Sequence, residues 1–278
     1  MFGNFSRNDD AKTIAHMAPM LKRVLVVDPQ PTSANVIAEH MRTVSKPDVW
    51  VAPTTDKGLK QADKVKPDII FVELAGEKVD GVDFTRRLRR SSFACRKAPV
   101  ILVTSQATAA AILAARDAGV HEFLRRPFTI KDLLKRLEAV TLNGRDWIEA
   151  VGYVGPDRRR FNSGDYSGPL KRQTDTQATP EEARVAQALK ILRSALLAVE
   201  SDRMQAIRAL QAQTLELEEA AKAMADEKLL AATTSFHHYL FEAANSNLPL
   251  VRVEVERRAV PLLAYMPADY DERRVVRV

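Results

Sequence analysis

The sequence predicts an α/β domain on a five-stranded parallel sheet, followed by a polar linker and a long α-helical region. Three observations carry this. Short continuous apolar runs alternate five times with helical patterns across residues 21–142. Residues 143–178 are rich in glycine, proline and arginine. Beyond Pro180, to about Ala232, there is neither glycine nor proline.

The elements follow in order. Residues 1–20 read as a flexible leader. Arg23 to Asp28 is a strand ending in an acid, broken by Pro29 and Pro31. Thr32 or Ser33 caps the next helix, whose apolar face holds Val36, Ile37 and Met41. Val49 to Val51 is a short strand, and Lys57 to Val65 a polar helix. Pro67 to Glu73 is the strand the domain is organised around: an apolar run reaching one carboxylate, Glu73, at its end. Ligands of open α/β sheets bind at the carboxyl ends of the strands, so Glu73 is the first candidate site residue. The Asp80-Gly81 turn follows, then a helix over Val82–Arg90 with Phe84 and Leu88 four apart. Pro99 to Val103 is the fourth strand, closed by Thr104. An alanine-rich helix runs from Ala107 to Ala118 and stops at Gly119. His121 to Leu124 is the fifth strand, and Leu133, Leu134 and Leu137 mark the last helix.

Composition excludes several classes. Of 278 residues, 46% are hydrophobic and 28% charged, the balance of a soluble globular chain. The formal charge of +6 permits attraction to anions without establishing nucleic-acid binding. The lone Cys95 allows no internal disulfide and fits a reducing compartment. Met1 to Pro19 carries Asp9 and Asp10 and lacks the apolar segment of a signal peptide. No run has the length of a membrane span, and the expected location is cytoplasmic.

Residues 21–142 resemble the receiver domain of two-component response regulators. The residues that carry the resemblance are Val24-Leu25-Val26-Val27-Asp28 with Pro31, Pro67-Asp68, Asp80-Gly81, Thr104, and Arg126-Pro127-Phe128. The resemblance implies a flavodoxin-like sheet of strand order 2-1-3-4-5. It implies an acidic pair that binds magnesium, an aspartate on strand three that takes a phosphoryl group, and a lysine before the proline. It also implies a hydroxyl that senses the phosphoryl group, at Thr104, and a switch aromatic, at Phe123. Three chemical positions depart from this pattern. The acidic pair is Asp28-Pro29, and proline offers a hard cation no side-chain oxygen. The phosphoacceptor position holds Glu73, one methylene longer than aspartate. The lysine position holds Arg126, a planar fork rather than a point charge.

These departures describe a degenerate receiver that needs no cofactor, with magnesium binding lost, no metal site and no enzyme activity. Glu73 can act as a built-in mimic of a phosphoryl-aspartate, paired with Arg126. Alternatively the pocket has decayed and only the scaffold is used. An orthodox phosphorylated regulator is the competing class.

The linker contains Tyr153-Val154-Gly155-Pro156-Asp157-Arg158-Arg159-Arg160-Phe161, which resembles segments of some bacterial response regulators. Arg158, Arg159 and Arg160 have three readings: a solvated spacer, a contact to an acidic protein partner, or a contact to a nucleotide such as a cyclic dinucleotide.

Thr179 and Pro180 begin a helix. Val185, Leu189, Leu192, Leu196, Val199, Arg203, Ile207, Leu210, Thr214, Leu217, Ala221 and Met224 form a heptad stripe with one stutter near Arg203. The stripe belongs either to one helix of about 50 residues, about 75 Å long, or to a hairpin turning at Ser201-Asp202. Residues 185–224 are therefore expected to form a homodimer or to fold back on themselves. A helix continues to about Asn245. The tail, residues 246–278, has no assigned fold, although Val251 to Val255 alternates as a strand does. No helix-turn-helix, glycine-rich phosphate loop or nucleophile triad is present. The reading is of a non-catalytic signalling regulator, a receiver joined to a helical module that docks a protein partner.

Overall fold

The computed structural model describes residues 7–106, 108–158, 179–245 and 251–266. They fall into two compact units. The first runs to Ile148 and resumes at Val154; the second comprises Glu149–Tyr153 and the chain beyond the linker.

In the first unit five parallel strands form one sheet: β1 (Arg23–Val27), β2 (Asp48–Ala52), β3 (Ile69–Glu73), β4 (Val100–Thr104) and β5 (Glu122–Arg125). Their order is 2-1-3-4-5, with Val24 beside Val49 and Ile69, Phe71 beside Ile101, and Leu102 beside Phe123. Side chains alternate between the two faces. Leu25, Val27, Ile70, Val72, Val100 and Leu102 pack with α3 (Thr55–Val65), α4 (Gly81–Arg90) and α5 (Ala109–Asp117). Val24, Val26, Ile69, Phe71, Ile101, Val103 and Leu124 pack with α2 (Pro31–Val44) and α6 (Ile130–Thr141). Both faces of the central strands are buried, so β1, β3 and β4 read in the sequence as unbroken apolar runs rather than alternating ones.

The helix starts are capped locally. Thr54, Asp80 and Thr108 accept hydrogen bonds from first-turn amides, and Thr129 with Asp132 forms a capping box. Helix α2 differs from expectation. It starts at Pro31, with Gln30 at the cap position and no side-chain cap, because proline fixes the first helical φ and needs no amide partner.

Three further segments differ from the sequence reading. Residues 7–17, expected within a flexible leader, form α1; Met17 at its end is fully buried and Ile14 packs beside it. The linker is not loop throughout: β6 (Trp147–Glu149) and β7 (Val154–Pro156) pair, closed by Ala150 N donating to Tyr153 O. Val251 to Val255, read as a strand, opens the helix α10 (Arg252–Leu263). Its buried residues Val255, Ala259 and Leu262 are spaced four and three apart, the helical period, and Val253 points to solvent.

The second unit is helical: α7 (Pro180–Leu197), α8 (Arg203–Met224), α9 (Glu227–Asn245) and α10. Helix α7 packs on α8, α8 on α9, and α10 on both α7 and α9, closing a four-helix ring. The long-helix alternative does not hold. Residues 198–202 make a turn, and Asp202 caps α8 through Gln205 N. Ala225, in the left-handed region at φ 52, ends α8. The heptad stripe is covered inside the chain: Val185, Leu189, Leu192, Leu196, Val199, Leu210, Thr214, Leu217 and Ala221 are buried, and only Arg203 and Met224 are exposed. The apolar ridge that argued for a homodimer through residues 185–224 is thus already packed. Glu149 is buried in this unit, its Oε1 accepting from Gln205 Nε2 at 2.7 Å and its carbonyl from Gln213 Nε2 at 3.1 Å. Among the described residues no helix is long and apolar enough to cross a membrane.

Candidate functional site

The site lies at the carboxyl ends of β1, β3 and β5. Asp28 follows β1 and is 3% exposed. Its Oδ1 accepts from Gln30 N at 2.8 Å, which shapes the turn into α2. Glu73 ends β3 with its side chain 13% exposed. Arg126 follows β5, its amide donating to Thr104 O at 2.7 Å. Its guanidinium bridges both acids: one NH₂ donates to Asp28 Oδ2 at 2.7 Å, and the other closes on Glu73 Oε2. The fork is therefore divided, one arm to each carboxylate, rather than placed bidentately on Glu73 alone.

A small flap follows β3. Ala75–Gly76 pairs with Val79–Asp80, and the ladder is tied to α3, where Thr55 N donates to Lys78 O and Thr55 Oγ1 accepts from Asp80 N. Gly76 sits against Pro29, whose Cγ is 3.0 Å from where a Cβ would stand. Gly81 is required for the closure, because a Cβ there would meet Glu73 O at 2.6 Å.

The other predicted residues are placed elsewhere. The Thr104 hydroxyl is engaged in its own loop, donating to Gln106 O at 2.9 Å and accepting from Gln106 N. Phe123 is half-buried and packs on the α3–α4–α5 side of the sheet. Arg158 donates to Asp117 Oδ1 at 2.6 Å, far from the carboxylates in the chain. Arg159 and Arg160 lie outside the described residues.

Sequence reasoning missed a second polar centre in the first unit. Arg89 is 1% exposed. It donates to the carbonyls of Gly119, Arg96 and Ala98 and meets His121 Nδ1 at 3.1 Å. Val100 N also points at that nitrogen, at 3.3 Å. Burial, with the charges of Arg89 and Arg145, holds the His121 pKa well below the usual histidine range. Trp147 lies under the Arg89 guanidinium at 5.2 Å and the Lys97 ammonium at 5.7 Å. The signal was weak, because Arg89 is one arginine among four in Arg86-Arg87-Leu88-Arg89-Arg90.

Residues 24–138 match the family described as response regulator receiver domain. Over 120 residues the chain is 33% identical to the KDP operon transcriptional regulatory protein KdpE of Escherichia coli, covering 42% of this chain and 50% of that protein. It is 28% identical, also over 120 residues, to the DNA-binding dual master transcriptional regulator RpaA of Synechocystis, covering 43% of this chain and 49% of that protein. The chain thus spans about half the length of these curated relatives. Among solved structures, the chemotaxis protein CheY4 of Vibrio cholerae aligns at a TM-score of 0.41 with 22% identity, over 43% of this chain and 98% of that one.

Proposed function

Taking the receiver domain at residues 24–138 as premise, we propose that this chain is a signalling regulator whose receiver is held in one state by an internal ion pair rather than by phosphoryl transfer. The observation that carries this reading is the Arg126 guanidinium bound to both Asp28 and Glu73. Phosphoryl transfer to a receiver carboxylate needs an accessible acid and a metal that neutralises developing charge. Here one oxygen of each acid, Asp28 Oδ2 and Glu73 Oε2, is taken by a cation, and Asp28 Oδ1 accepts from Gln30 N. Pro29 adds no side-chain oxygen. The donor set therefore does not fit magnesium, and no step is routed through it. Glu73 supplies permanent negative charge where a phosphoryl-aspartate carries it transiently, and Arg126 fixes its direction. The protein is non-catalytic and cytoplasmic in this reading, and the four-helix unit presents a surface to a protein partner of the pathway.

An orthodox phosphorylated regulator is the second reading. It is favoured by the kinds of protein the receiver matches and by the retained Asp28 and Thr104. The nucleotide-contact reading loses Arg158, which is committed to Asp117. Exposure to a small phosphodonor with and without magnesium separates the first two. No covalent label is expected on the native chain. Magnesium-dependent labelling that disappears in Glu73→Gln would establish the orthodox reading instead.

A further inference from the structure

A cleft of 420 Å³ lies where β5 and the turn after it meet α6, and three arginines line it: Arg125, Arg126 and Arg136. Its size is that of a small-ligand site, which runs from about 300 to 1,000 Å³. The sequence supplies the charge in two pieces. Arg125-Arg126 ends β5 and enters the turn, and Arg136 stands on α6 one turn beyond Asp132. Arg125 is exposed, and among the described residues no carboxylate pairs with it. Arg126 commits its two terminal nitrogens to Asp28 and Glu73, while its Nε–H has no partner among the described residues and the side chain is 22% exposed. Arg136 holds Glu122 Oε2 at 3.1 Å through one nitrogen and is 39% exposed.

The lining contains one carboxylate, Asp132, and it is turned to the start of its own helix. Its Oδ2 accepts from both the amide and the hydroxyl of Thr129, at 2.8 Å each. Three guanidiniums against one engaged acid leave the cleft positive, and the repulsion among them falls when an anion sits between them. Guanidinium is the side-chain group that matches phosphate oxygens in pairs. A peptide carboxylate brings one charge to such a place. A di- or triphosphate brings a row of charged oxygens, which is what three arginines along one cleft can hold. Half-buried Phe123 on the same lining adds a ring.

We infer that this cleft binds a di- or triphosphate group, free or at the end of a nucleotide, and that the bound anion competes with Asp28 and Glu73 for Arg126. Arg125 and Arg136 hold the anion, and Arg126 is shared between it and the two acids. The ligand is then a regulator of the internal ion pair, so the inference rests on the reading of Arg126 as the group that holds the receiver in one state. Binding free energies are reciprocal: whatever loosens the acids' hold on Arg126 tightens the anion's.

The test is calorimetric titration of the full chain with inorganic pyrophosphate, in magnesium-free buffer at low ionic strength. Arg125→Glu and Arg136→Gln should each weaken binding about tenfold, the loss of one charge-assisted contact. Arg42→Glu, a charge reversal on the exposed side of α2, should leave it within about twofold. Glu73→Gln, which frees one arm of Arg126, should tighten it about fivefold or more. No heat at either of two temperatures overturns the proposal. So does an equal loss in Arg42→Glu, which reports bulk charge rather than a site, and so does unchanged affinity in Glu73→Gln. Binding of oligoglutamate in place of pyrophosphate would make the cleft a protein-docking surface and overturns it as well. Adenosine triphosphate titrated in parallel separates the two sources: a gain over pyrophosphate that Phe123→Leu removes supports the nucleotide, and equal affinity supports the free anion. Circular dichroism checks that each variant is folded. Phosphodonor labelling reads the state of Glu73 separately, so a label there refutes the ion-pair reading, whereas absent pyrophosphate binding refutes only the ligand.

Discussion

Replacing Arg126 by alanine tests the bridge directly. Asp28 is 3% exposed, Glu73 13% and Arg126 22% by side chain, so the cluster is shielded but not sealed. Removing one partner of a fully buried pair costs about 3–5 kcal/mol, because the other charge stays buried and uncompensated. Partial exposure lowers the figure, and Asp28 keeps its bond from Gln30 N. Arg126→Ala should therefore destabilise the receiver by about 2–4 kcal/mol. Glu73→Gln alone should cost about 1 kcal/mol, since an amide oxygen still accepts a hydrogen bond. Combined, the two should cost about 1–2 kcal/mol less than their sum, because the second change removes a charge that the first left unpaired. Urea unfolding followed by tryptophan fluorescence suits the measurement. The chain has two tryptophans, Trp50 and Trp147, and both belong to the first unit. An Arg126→Ala cost below about 0.5 kcal/mol, the level of an ordinary surface change, would refute the bridge as a structural element. Strict additivity of the pair would refute the coupling.

Three other outcomes are expected. The receiver should lose stability as pH falls below about 6.5, because unfolded His121 takes a proton that the folded, buried ring refuses beside Arg89 and Arg145. The stability is full above that pH and declines at up to about 1.4 kcal/mol per pH unit down to the folded pKa; His121→Gln should flatten the slope of urea midpoints against pH. Arg89→Met strands the carbonyls of Gly119, Arg96 and Ala98 and should cost about 2–4 kcal/mol, with altered Trp147 emission. Leu192→Asp with Leu196→Asp, at two buried positions, should abolish much of the far-UV helical signal, whereas a variant that stays helical while its mass by light scattering halves would restore the stripe as an interface.

The central strands were legible because burial on both faces makes β1, β3 and β4 continuous apolar runs, whereas the caps Thr108 and Thr129 were not read and the start of α5 was placed at Ala107 instead of Ala109. Elements were missed where few residues carry the packing. Helix α1 holds its place through its last turn, Ile14 and Met17, while Arg7-Asn8-Asp9-Asp10 reads as polar leader. The β6–β7 hairpin is hidden by glycines at 152 and 155, which signal loop although one lies in the turn and the other in a close backbone approach. At the start of α10, Val251, Val253 and Val255 alternate and imitate a strand, and the helical spacing emerges only further on, at Ala259 and Leu262. Of the site named from the sequence, Asp28, Glu73 and Arg126 converge, while the Thr104 hydroxyl, named with them, is engaged with Gln106 instead. The division of the fork between two acids was not legible, because spacing along the chain does not show which side chains converge.

That division explains why arginine suits the position. A lysine at the end of β5 would present a single ammonium, which can sit close to one carboxylate or between two at a distance from both. A guanidinium has two terminal nitrogens in one rigid plane, and each here takes its own acid. Glu73 is matched to this. The extra methylene of glutamate carries its carboxylate further from the end of β3, toward a planar cation whose other arm is already on Asp28. Pro29 completes the arrangement by leaving one carboxylate on the β1 side, so the guanidinium meets one acid from each strand. Flap residue Gly76 packs directly on Pro29. The three residues around the cation are thus mutually consistent: the long acid Glu73, the forked Arg126 and a β1 side with Asp28 followed by Pro29 each fit the other two.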